Sequence, residues 1–430
     1  MPSVSKGSIA IAAFSTVVEW YDFTLYLYFA TTLSRVFFGS AETSLLATLG
    51  AFAMAYLMRP LGAIAFGRYG DRHGRRRMML WSVGLMTAAM LATALLPTRE
   101  DAAWSGAALI ALRCAMGFAV GGEYTGVVAY LMEGAPADRR GLVTALAAAA
   151  SEIGALLAVA AAALTVNLLP APELDRWGWR LPFLLGAALA AVVWVLRSAM
   201  EESPEFLRQQ RRHSVPSAPL SLVLKENFAG IARGFAISAL GSVTYYVGIA
   251  YVPAFLVAVG ASAEAAALNL AVWAALAVIL VTPLAGAASD RYGRRRSLTA
   301  LCLGSACLPM LMFGWMTGGS AAHAWIGAVA LAGLAGGVSA VGAVTTAEQF
   351  AGEGRLSGLA LGATTATAVF GGLAPVAAQY WVGASGWPQA PGLMISLVAL
   401  AVLPVLLRLP ETAPRVRARL DAQRPRDRSP

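Results

Sequence analysis

The sequence predicts an all-α membrane protein with twelve transmembrane helices in two pseudo-symmetric six-helix bundles. Hydrophobic residues make up 58% of the 430 residues and charged residues only 13%, which is too little polar surface to coat a water-soluble globule. The charged motif FGRYGDRHGRRR at Phe66–Arg77 returns as ASDRYGRRR at Ala288–Arg296. Half the chain separates Asp71 from Asp290 in these two copies, which indicates an internal duplication.

The apolar runs set the number of helices. A bilayer core requires about 20 apolar residues per helix, and the chain supplies a dozen such runs. The predicted spans are 9–36, 43–66, 77–97, 104–132, 141–168, 179–199, 228–256, 264–287, 297–318, 321–347, 356–382 and 389–408. Each copy of the charged motif is therefore predicted to form a short turn between two spans.

The polar segments divide the chain. We expect an N-terminal six-helix bundle over residues 1–200, a cytoplasmic linker over 201–225 that is rich in charge, proline and serine, and a second bundle over 226–410. Residues 411–430 form a basic, proline-rich tail without sustained heptads. This composition predicts a disordered arm near anionic lipid.

The distribution of positive charge predicts the orientation. Alternating spans place 26 of the 32 Lys and Arg residues on the side of the charged turns, four on the other side and two within spans. By the positive-inside rule both termini are cytoplasmic. The net charge of +9 thus indicates membrane topology, and we expect no nucleic-acid partner. Lys6 precedes the first run, but Glu19 and Asp22 interrupt it and no small-residue cleavage site follows, so we expect a retained span and not a signal peptide.

Several classes of site are not supported. The three cysteines lie in apolar runs and the three histidines in separate loops, without the spacing of metal ligands. The chain also lacks a GxxxxGK[ST] phosphate-binding loop and a soluble domain for nucleotide. We therefore expect no metal, no cofactor and no enzymatic activity.

The first span carries two carboxylates in VVEWYDFTLYLYF. Glu19, Asp22 and Tyr26 share one helix face, and Glu19 lies about 15 Å from the start of the span at about 1.5 Å per residue. Carboxylates at this depth are costly unless they face a wet cavity or a partner. We expect these side chains to face the interior of the bundle.

Other charges lie in the second, fourth and fifth spans of the first half. Arg59 precedes a helix-bending proline, and Gly121 and Gly122 allow close helix packing beside Glu123. The remaining buried charges in these spans are Arg113 and Glu152.

Four carboxylates then face two arginines, so full ionisation would leave two excess negative charges. Burial and like-charge repulsion favour protonation of at least one carboxylate, which predicts coupling of proton uptake to a substrate. Structural salt bridges are the alternative explanation of the same charges.

The second half lacks such charges. Tyr245 and Tyr246 lie within its first span, and we expect them to line a cavity, although aromatic residues at helical spacing also serve in packing. In the charged turns, Asp71 and Asp290 can accept hydrogen bonds from a helix N-terminus or an arginine. The arginines concerned are Arg75 and Arg294, and acidic residues that can pair with them are Glu133, Glu201, Glu348 and Glu411. Alternatively, the arginines act only as topology determinants.

Five motifs carry a family resemblance. They are VEWYDF at Val18–Phe23, the pair Arg59–Pro60, GGEYTG at Gly121–Gly126, WGWRLPF at Trp177–Phe183 and SDRYGRRR at Ser289–Arg296. Together they resemble the metabolite:proton symporter branch of the major facilitator superfamily over essentially all twelve spans. The resemblance implies a monomer in the bacterial cytoplasmic membrane, with a cytoplasmic latch at Asp71 and Arg75. It also implies inward transport, with protons, of dicarboxylates such as 2-oxoglutarate, of tricarboxylates, of shikimate, or of zwitterions such as proline and betaine.

Two functions follow as hypotheses. In the first, the protein imports a carboxylate-bearing solute that Arg113 or Arg59 binds, while Glu123 and Asp22 take up protons. Tyr245 and Tyr246 line the opposite wall in this hypothesis. In the second, the same fold exports drugs or metabolites against a proton gradient.

Overall fold

The computed structural model describes residues 6–39, 43–73, 75–121, 139–198, 227–318, 320–350 and 358–423. Within these ranges, nine helices are long and apolar enough to cross a membrane, and the bent pair Phe228–Ala250 and Val252–Ala258 makes a tenth if it is one span. The first helix and the described part of the fourth complete the predicted order. The all-α membrane fold predicted from the apolar runs is confirmed.

The described residues of the first half form six long helices. They are α1 (Lys6–Tyr28), α2 (Thr43–His73), α3 (Arg75–Leu95), α4 (Ser105–Val120), α5 (Arg140–Leu168) and α6 (Arg180–Ser198). Short helical segments at Ala30–Leu33 and Ser34–Phe38 extend α1, and Ala171–Glu173 and Leu174–Gly178 lead into α6.

The second half repeats the arrangement. Its helices are α7 (Phe228–Tyr245), α8 (Glu264–Tyr292), α9 (Arg294–Thr317), α10 (Ala321–Ala347), α11 (Ala374–Ser385), α12 (Ala390–Leu407) and the tail helix α13 (Pro414–Gln423). The segments Tyr246–Ala250 and Val252–Ala258 continue α7, while Ala360–Thr364, Thr365–Thr367 and Ala368–Leu373 lead into α11.

The charged turns are shorter than predicted. Helix α2 continues through the motif to His73 and α3 begins at Arg75, so the expectation of a turn over the whole motif is wrong. Arginine favours helix, so the arginines of the motif are compatible with the helices on both sides. In the second copy, Gly293 alone separates α8 from α9, and its φ of +102° is one that side-chain-bearing residues rarely adopt. We call the end of the bundle that carries these turns the charged-turn end.

The prediction of a disordered tail is wrong for residues Pro414–Gln423, because they form α13. Proline is tolerated in the first turn of a helix, and the Arg, Ala and Leu residues that follow favour helix. The carboxylate of Glu411, just before this helix, accepts hydrogen bonds from the backbone N–H groups of Arg294 and Arg295 at 2.9 and 3.3 Å. The start of the tail is thus bonded to the second charged turn.

The two halves meet along α5 and α8, which pack against each other, and along α2 and the segments that lead into α11. Large side chains from both halves fill the space between the helices, among them Tyr56, Trp179 and Phe255, all fully buried. Leu168 and Leu284 are about three-quarters exposed, as expected of residues that face lipid. The core therefore extends through the interior of each half and across the contact between them.

Candidate functional site

A cavity of about 170 Å³ lies between the two halves of the chain. Its walls come from α1, α2, α4 and α5 on one side and from α7, α10 and the segments leading into α11 on the other. Hydroxyl groups line much of it, including those of Ser151, Ser238, Ser242, Ser339, Thr346 and Thr367. Its lining residues in α5 and α10 belong to the half of each helix nearest the charged-turn end.

Arg59 contributes positive charge to this cavity. Its guanidinium carbon lies 4.1 Å from the ring centroids of both Phe23 and Tyr56, and it lines the cavity wall. Gly121 lets α4 approach α2 at this point, because a Cβ there would lie only 2.6 Å from the backbone nitrogen of Ala63. Among the described residues no carboxylate lies within 4.0 Å of the Arg59 guanidinium. The side chain is therefore held by aromatic rings, and no described carboxylate pairs with it.

Glu152 contributes negative charge to the same cavity. It is buried in α5 and accepts a hydrogen bond of 3.3 Å from the hydroxyl of Tyr245 in α7. The hydroxyl of the next residue, Tyr246, is hydrogen-bonded to that of Tyr56 in α2. Tyr245 and Tyr246 both line the cavity, where the sequence predicted them. The two tyrosines connect the halves of the chain through α5 and α2.

Asp22 and Arg113 form a separate buried pair. The guanidinium donates to the Asp22 carboxylate at 2.8 and 3.4 Å, and to the Thr93 hydroxyl at 3.3 Å. Tyr26 lies beside this pair, with its ring centroid 5.1 Å from the guanidinium carbon, and donates to the backbone oxygen of Thr48 at 3.0 Å. Of the two arginines considered for a substrate carboxylate, Arg59 lines the cavity, while Arg113 is bonded to Asp22.

The charges of the first half therefore divide into two groups. The Asp22–Arg113 pair is neutral, whereas Glu19 is buried in α1 and interacts electrostatically with Arg59. Glu123, the remaining predicted carboxylate, lies outside the described residues. Among the described residues, no group of three or more His, Cys, Asp or Glu side chains could hold a metal ion.

Sequence reasoning missed three side chains near these groups. Arg197 ends an apolar run, a position typical of the membrane interface. In the structure it is buried and donates to the hydroxyl of Ser15. Tyr56 precedes Arg59 by three residues, the helical spacing that brings its ring to the guanidinium. Trp20 lines the cavity from within the motif VEWYDF. Spacing could have identified Tyr56, but not the burial of Arg197.

The second copy of the charged motif forms a compact network. The carboxylate of Asp290 accepts hydrogen bonds from the backbone N–H groups of Gly141 and Leu142 at 3.0 and 2.9 Å, and from Arg294 at 2.8 Å. Arg294 also donates to Glu348, at the end of α10, at 3.3 and 3.4 Å. The network thus joins α8, α9 and α10 of the second half to the start of α5 in the first.

The first copy is only partly described. Asp71 lies near the end of α2 and Arg75 begins α3, but their side chains are not among those described. Glu133 and Glu201, which the sequence places beside them, lie outside the described residues.

A second polar network closes the opposite end of the bundle. Arg35 donates to Asp175 at 2.9 and 3.0 Å and to Glu264, the first residue of α8, at 3.0 Å. The hydroxyl of Thr32 donates to the same Glu264 carboxylate at 2.6 Å. The sequence did not predict these contacts, because hydropathy places all of these residues in loops or at helix ends. Contacts between the halves therefore exist at both ends of the cavity.

Repeated membrane-spanning helices around a polar cavity, with networks between the halves at both ends, define the class of multi-pass membrane transporters. Comparison with known proteins agrees. Residues 8–227 match the family described as Sugar (and other) transporter, and residues 235–429 match Major Facilitator Superfamily. The chain belongs to the major facilitator superfamily, which confirms the family resemblance; it is a transporter and not an enzyme.

Its relatives are bacterial transporters. The chain is 33% identical to the alpha-ketoglutarate permease of Escherichia coli (strain K12), over 85% of each chain. It is 29% identical to the citrate-proton symporter of Klebsiella pneumoniae, over 92% of this chain and 90% of the relative. It is also 29% identical to the proline/betaine transporter of Escherichia coli (strain K12), over 95% and 84%. These relatives agree with the branch that the motifs indicate.

Solved structures show the same fold. The major facilitator proton:xylose symporter XylE, bound to 6-bromo-6-deoxy-D-glucose, superposes with a TM-score of 0.75. The alignment covers 94% of this chain and 96% of XylE at 19% identity. The likeness therefore concerns the arrangement of helices.

Proposed function

We propose that this protein is a proton-coupled symporter that imports a small carboxylate-bearing metabolite by alternating access. The observation that carries the proposal is the position of Arg59 in the wall of the central cavity, packed against the rings of Phe23 and Tyr56. A guanidinium that stacks on aromatic rings keeps its in-plane N–H groups for hydrogen bonds to a carboxylate. The relatives named for 2-oxoglutarate, citrate and proline or betaine all handle carboxylates, which supports the same substrate chemistry.

The proposed proton sites are Asp22 and Glu123. Asp22 is fully buried against Arg113, so protonation of its carboxylate would release the guanidinium from a 2.8 Å ion pair. The pair joins α1 to α4, and both helices contribute residues to the cavity wall. Breaking the pair would therefore allow these two helices to move at the substrate site. Glu123 follows Arg113 in the same predicted span. This arrangement supports a proton that travels with the substrate.

Alternating access would use the two networks between the halves. The Asp290 network lies at the charged-turn end and the Arg35–Glu264 pair lies at the opposite end. In this proposal they break in turn, so that the cavity opens to one side of the membrane at a time. The excess of positive charge around the turns supports a cytoplasmic location for that end.

Uptake into proteoliposomes tests the proposal. Purified protein is reconstituted, and uptake of proline, glycine betaine, 2-oxoglutarate, citrate and shikimate is measured with and without an imposed inward proton gradient. We expect saturable uptake of at least one solute that the gradient stimulates. Arg59→Gln should reduce this uptake about tenfold or more, because it removes a charge-assisted hydrogen bond.

Arg408→Gln provides the matched control, since Arg408 is exposed at the end of α12 and does not line the cavity. Both variants should incorporate equally and elute as single species in size-exclusion chromatography. Gradient-independent uptake by the unmodified protein, or equal rates for the two variants, would contradict the proposal.

A further inference from the structure

We infer that the substrate is a zwitterion, a monocarboxylate that also bears a substituted ammonium group, rather than a dicarboxylate or a tricarboxylate. This inference rests on the proposed function and narrows it to one substrate class. Three features of the cavity carry it: the balance of charge in the wall, the aromatic rings around the acidic residue, and the volume.

The charge in the wall is balanced. Among the described lining residues, Arg59 is the cation and Glu152 is the anion, and the other polar side chains are neutral. Glu19 is buried outside the wall and acts on Arg59 from nearby, so it adds negative charge and disfavours a second carboxylate on the solute. A zwitterion adds one charge of each sign and finds one partner for each. A dicarboxylate would place a second negative charge near Glu152, and the described wall has no second cation to receive it, which is costly in a buried site.

The acidic residue lies in an aromatic corner. The rings of Trp20 and Tyr245 meet edge to face with centroids 5.5 Å apart, and those of Tyr245 and Tyr246 with centroids 5.1 Å apart. All three residues line the cavity, and the Tyr245 hydroxyl donates to Glu152. Aromatic faces attract quaternary and substituted ammonium groups, and a neighbouring carboxylate adds to that attraction. A second carboxylate on the solute would gain no such attraction from the aromatic faces.

The volume favours a small solute. A cavity of about 170 Å³ is close to the engineered cavity of about 150 Å³ that admits benzene. Proline and glycine betaine are only slightly larger than benzene, whereas citrate is much larger. 2-Oxoglutarate is intermediate in size, so the volume argues against tricarboxylates and the charge of the wall argues against dicarboxylates. The hydroxyl-bearing residues of the wall are neutral and leave its charge preference unchanged.

The test compares solutes that differ only in the positive charge. Proteoliposomes with an imposed proton gradient are given labelled glycine betaine, or 3,3-dimethylbutanoate, its uncharged-tail isostere in which carbon replaces nitrogen. Proline, 2-oxoglutarate and citrate complete the set. We expect saturable uptake of glycine betaine or proline, and uptake of the isostere and of the di- and tricarboxylates at least about tenfold slower.

Glu152→Gln isolates the role of the anion. We expect it to reduce zwitterion uptake about tenfold or more and to narrow the difference between glycine betaine and its isostere, since the ammonium partner is gone. Glu173→Gln, at an exposed residue outside the cavity, should leave both unchanged. Binding of glycine betaine to detergent-purified Glu152→Gln, measured by calorimetry, separates lost recognition from a folding defect, because Glu173→Gln should still bind it.

The outcomes distinguish the two proposals. Gradient-driven uptake of 2-oxoglutarate or citrate, with zwitterions excluded, would overturn the zwitterion assignment and leave the proposed symport standing. Equal uptake of glycine betaine and its isostere would overturn the assignment in the same way. Failure of the gradient to drive any carboxylate would overturn both.

Discussion

The carboxylate of Asp290, near the end of α8, accepts a hydrogen bond of 3.0 Å from the backbone N–H of Gly141, at the start of α5. The two residues belong to different halves of the chain. A carboxylate at a helix N-terminus is stabilised by the unpaired N–H groups and by the helix dipole, and Asp290 receives a second bond there from the N–H of Leu142. The same carboxylate also pairs with Arg294, so one side chain serves as both cap and salt-bridge partner.

Neutralising Asp290 should loosen the charged-turn end. In Asp290→Asn the helix cap loses its charge, and the fully buried Arg294 keeps Glu348 as its one acidic partner among the described residues, at a cost of about 1–3 kcal/mol. We expect a lower midpoint of thermal unfolding and faster maleimide labelling of Ser242→Cys in the cavity wall. The chain has native cysteines, so labelling of protein without Ser242→Cys is measured and subtracted as background. Asp101→Asn, in the loop after α3, is the control, and an equal change in that variant would show that the network has no role in closure.

Removing the charge of Asp22 should uncouple transport from protons. Both side chains of the Asp22–Arg113 pair are almost fully buried, so Asp22→Asn leaves an uncompensated guanidinium and destabilises the protein by about 3–5 kcal/mol. Adding Arg113→Gln should recover part of this loss. In the double variant we expect exchange of labelled for unlabelled solute to continue, whereas an inward proton gradient no longer drives accumulation of the solute. Gradient-driven accumulation by Asp22→Asn would exclude Asp22 as a proton site.

The sequence predicts most of the fold because a bilayer imposes one strong requirement, a long apolar run for each crossing. Helix α10 has the predicted bounds, and α5 differs from its prediction by one residue. The repeat also identified Asp290 and Arg294 as members of one cluster. Asp290 and Arg294 lie on either side of a helix boundary, and the same boundary motif occurs half a chain earlier. Position in the sequence is therefore enough to place them together.

The pairing of buried charges could not be predicted. Sequence gives the depth of each residue in the membrane but not which neighbouring helix it faces, so Arg59 and Arg113 were equal candidates for the substrate carboxylate. Packing decides between them, because α1 turns Asp22 towards α4 and Phe23 towards α2. The contacts of Arg35 and Glu264 were missed for a related reason: residues at helix ends are constrained by neither hydropathy nor helical period.

A glycine in α5 should be required for the contact with α1. A Cβ at Gly154 would lie 3.0 Å from the carbonyl carbon of Val17 and 3.1 Å from the backbone nitrogen of Tyr21. Backbone atoms cannot move aside, so Gly154→Ala should destabilise the protein by about 1–3 kcal/mol and lower the midpoint of thermal unfolding in detergent. Gly383→Ala is the matched variant, because no atom lies within 4 Å of a Cβ there and alanine favours helix. If both variants unfold at the same temperature, the helix contact is looser than described.

The pair Arg35–Glu264 should hold the opposite end closed only weakly. Its side chains are 33% and 17% exposed, so water and salt screen the attraction, and the coupling energy should be about 0.2–1 kcal/mol. Glu264→Gln removes the ion pair between the halves, whereas Asp175→Asn removes the other acidic partner of Arg35, which lies in the first half. We therefore expect Glu264→Gln to change the rate of gradient-driven uptake and Asp175→Asn to leave it nearly unchanged. The difference should shrink as ionic strength rises, and equal effects of the two variants at low salt would show that Arg35 stabilises the first half alone.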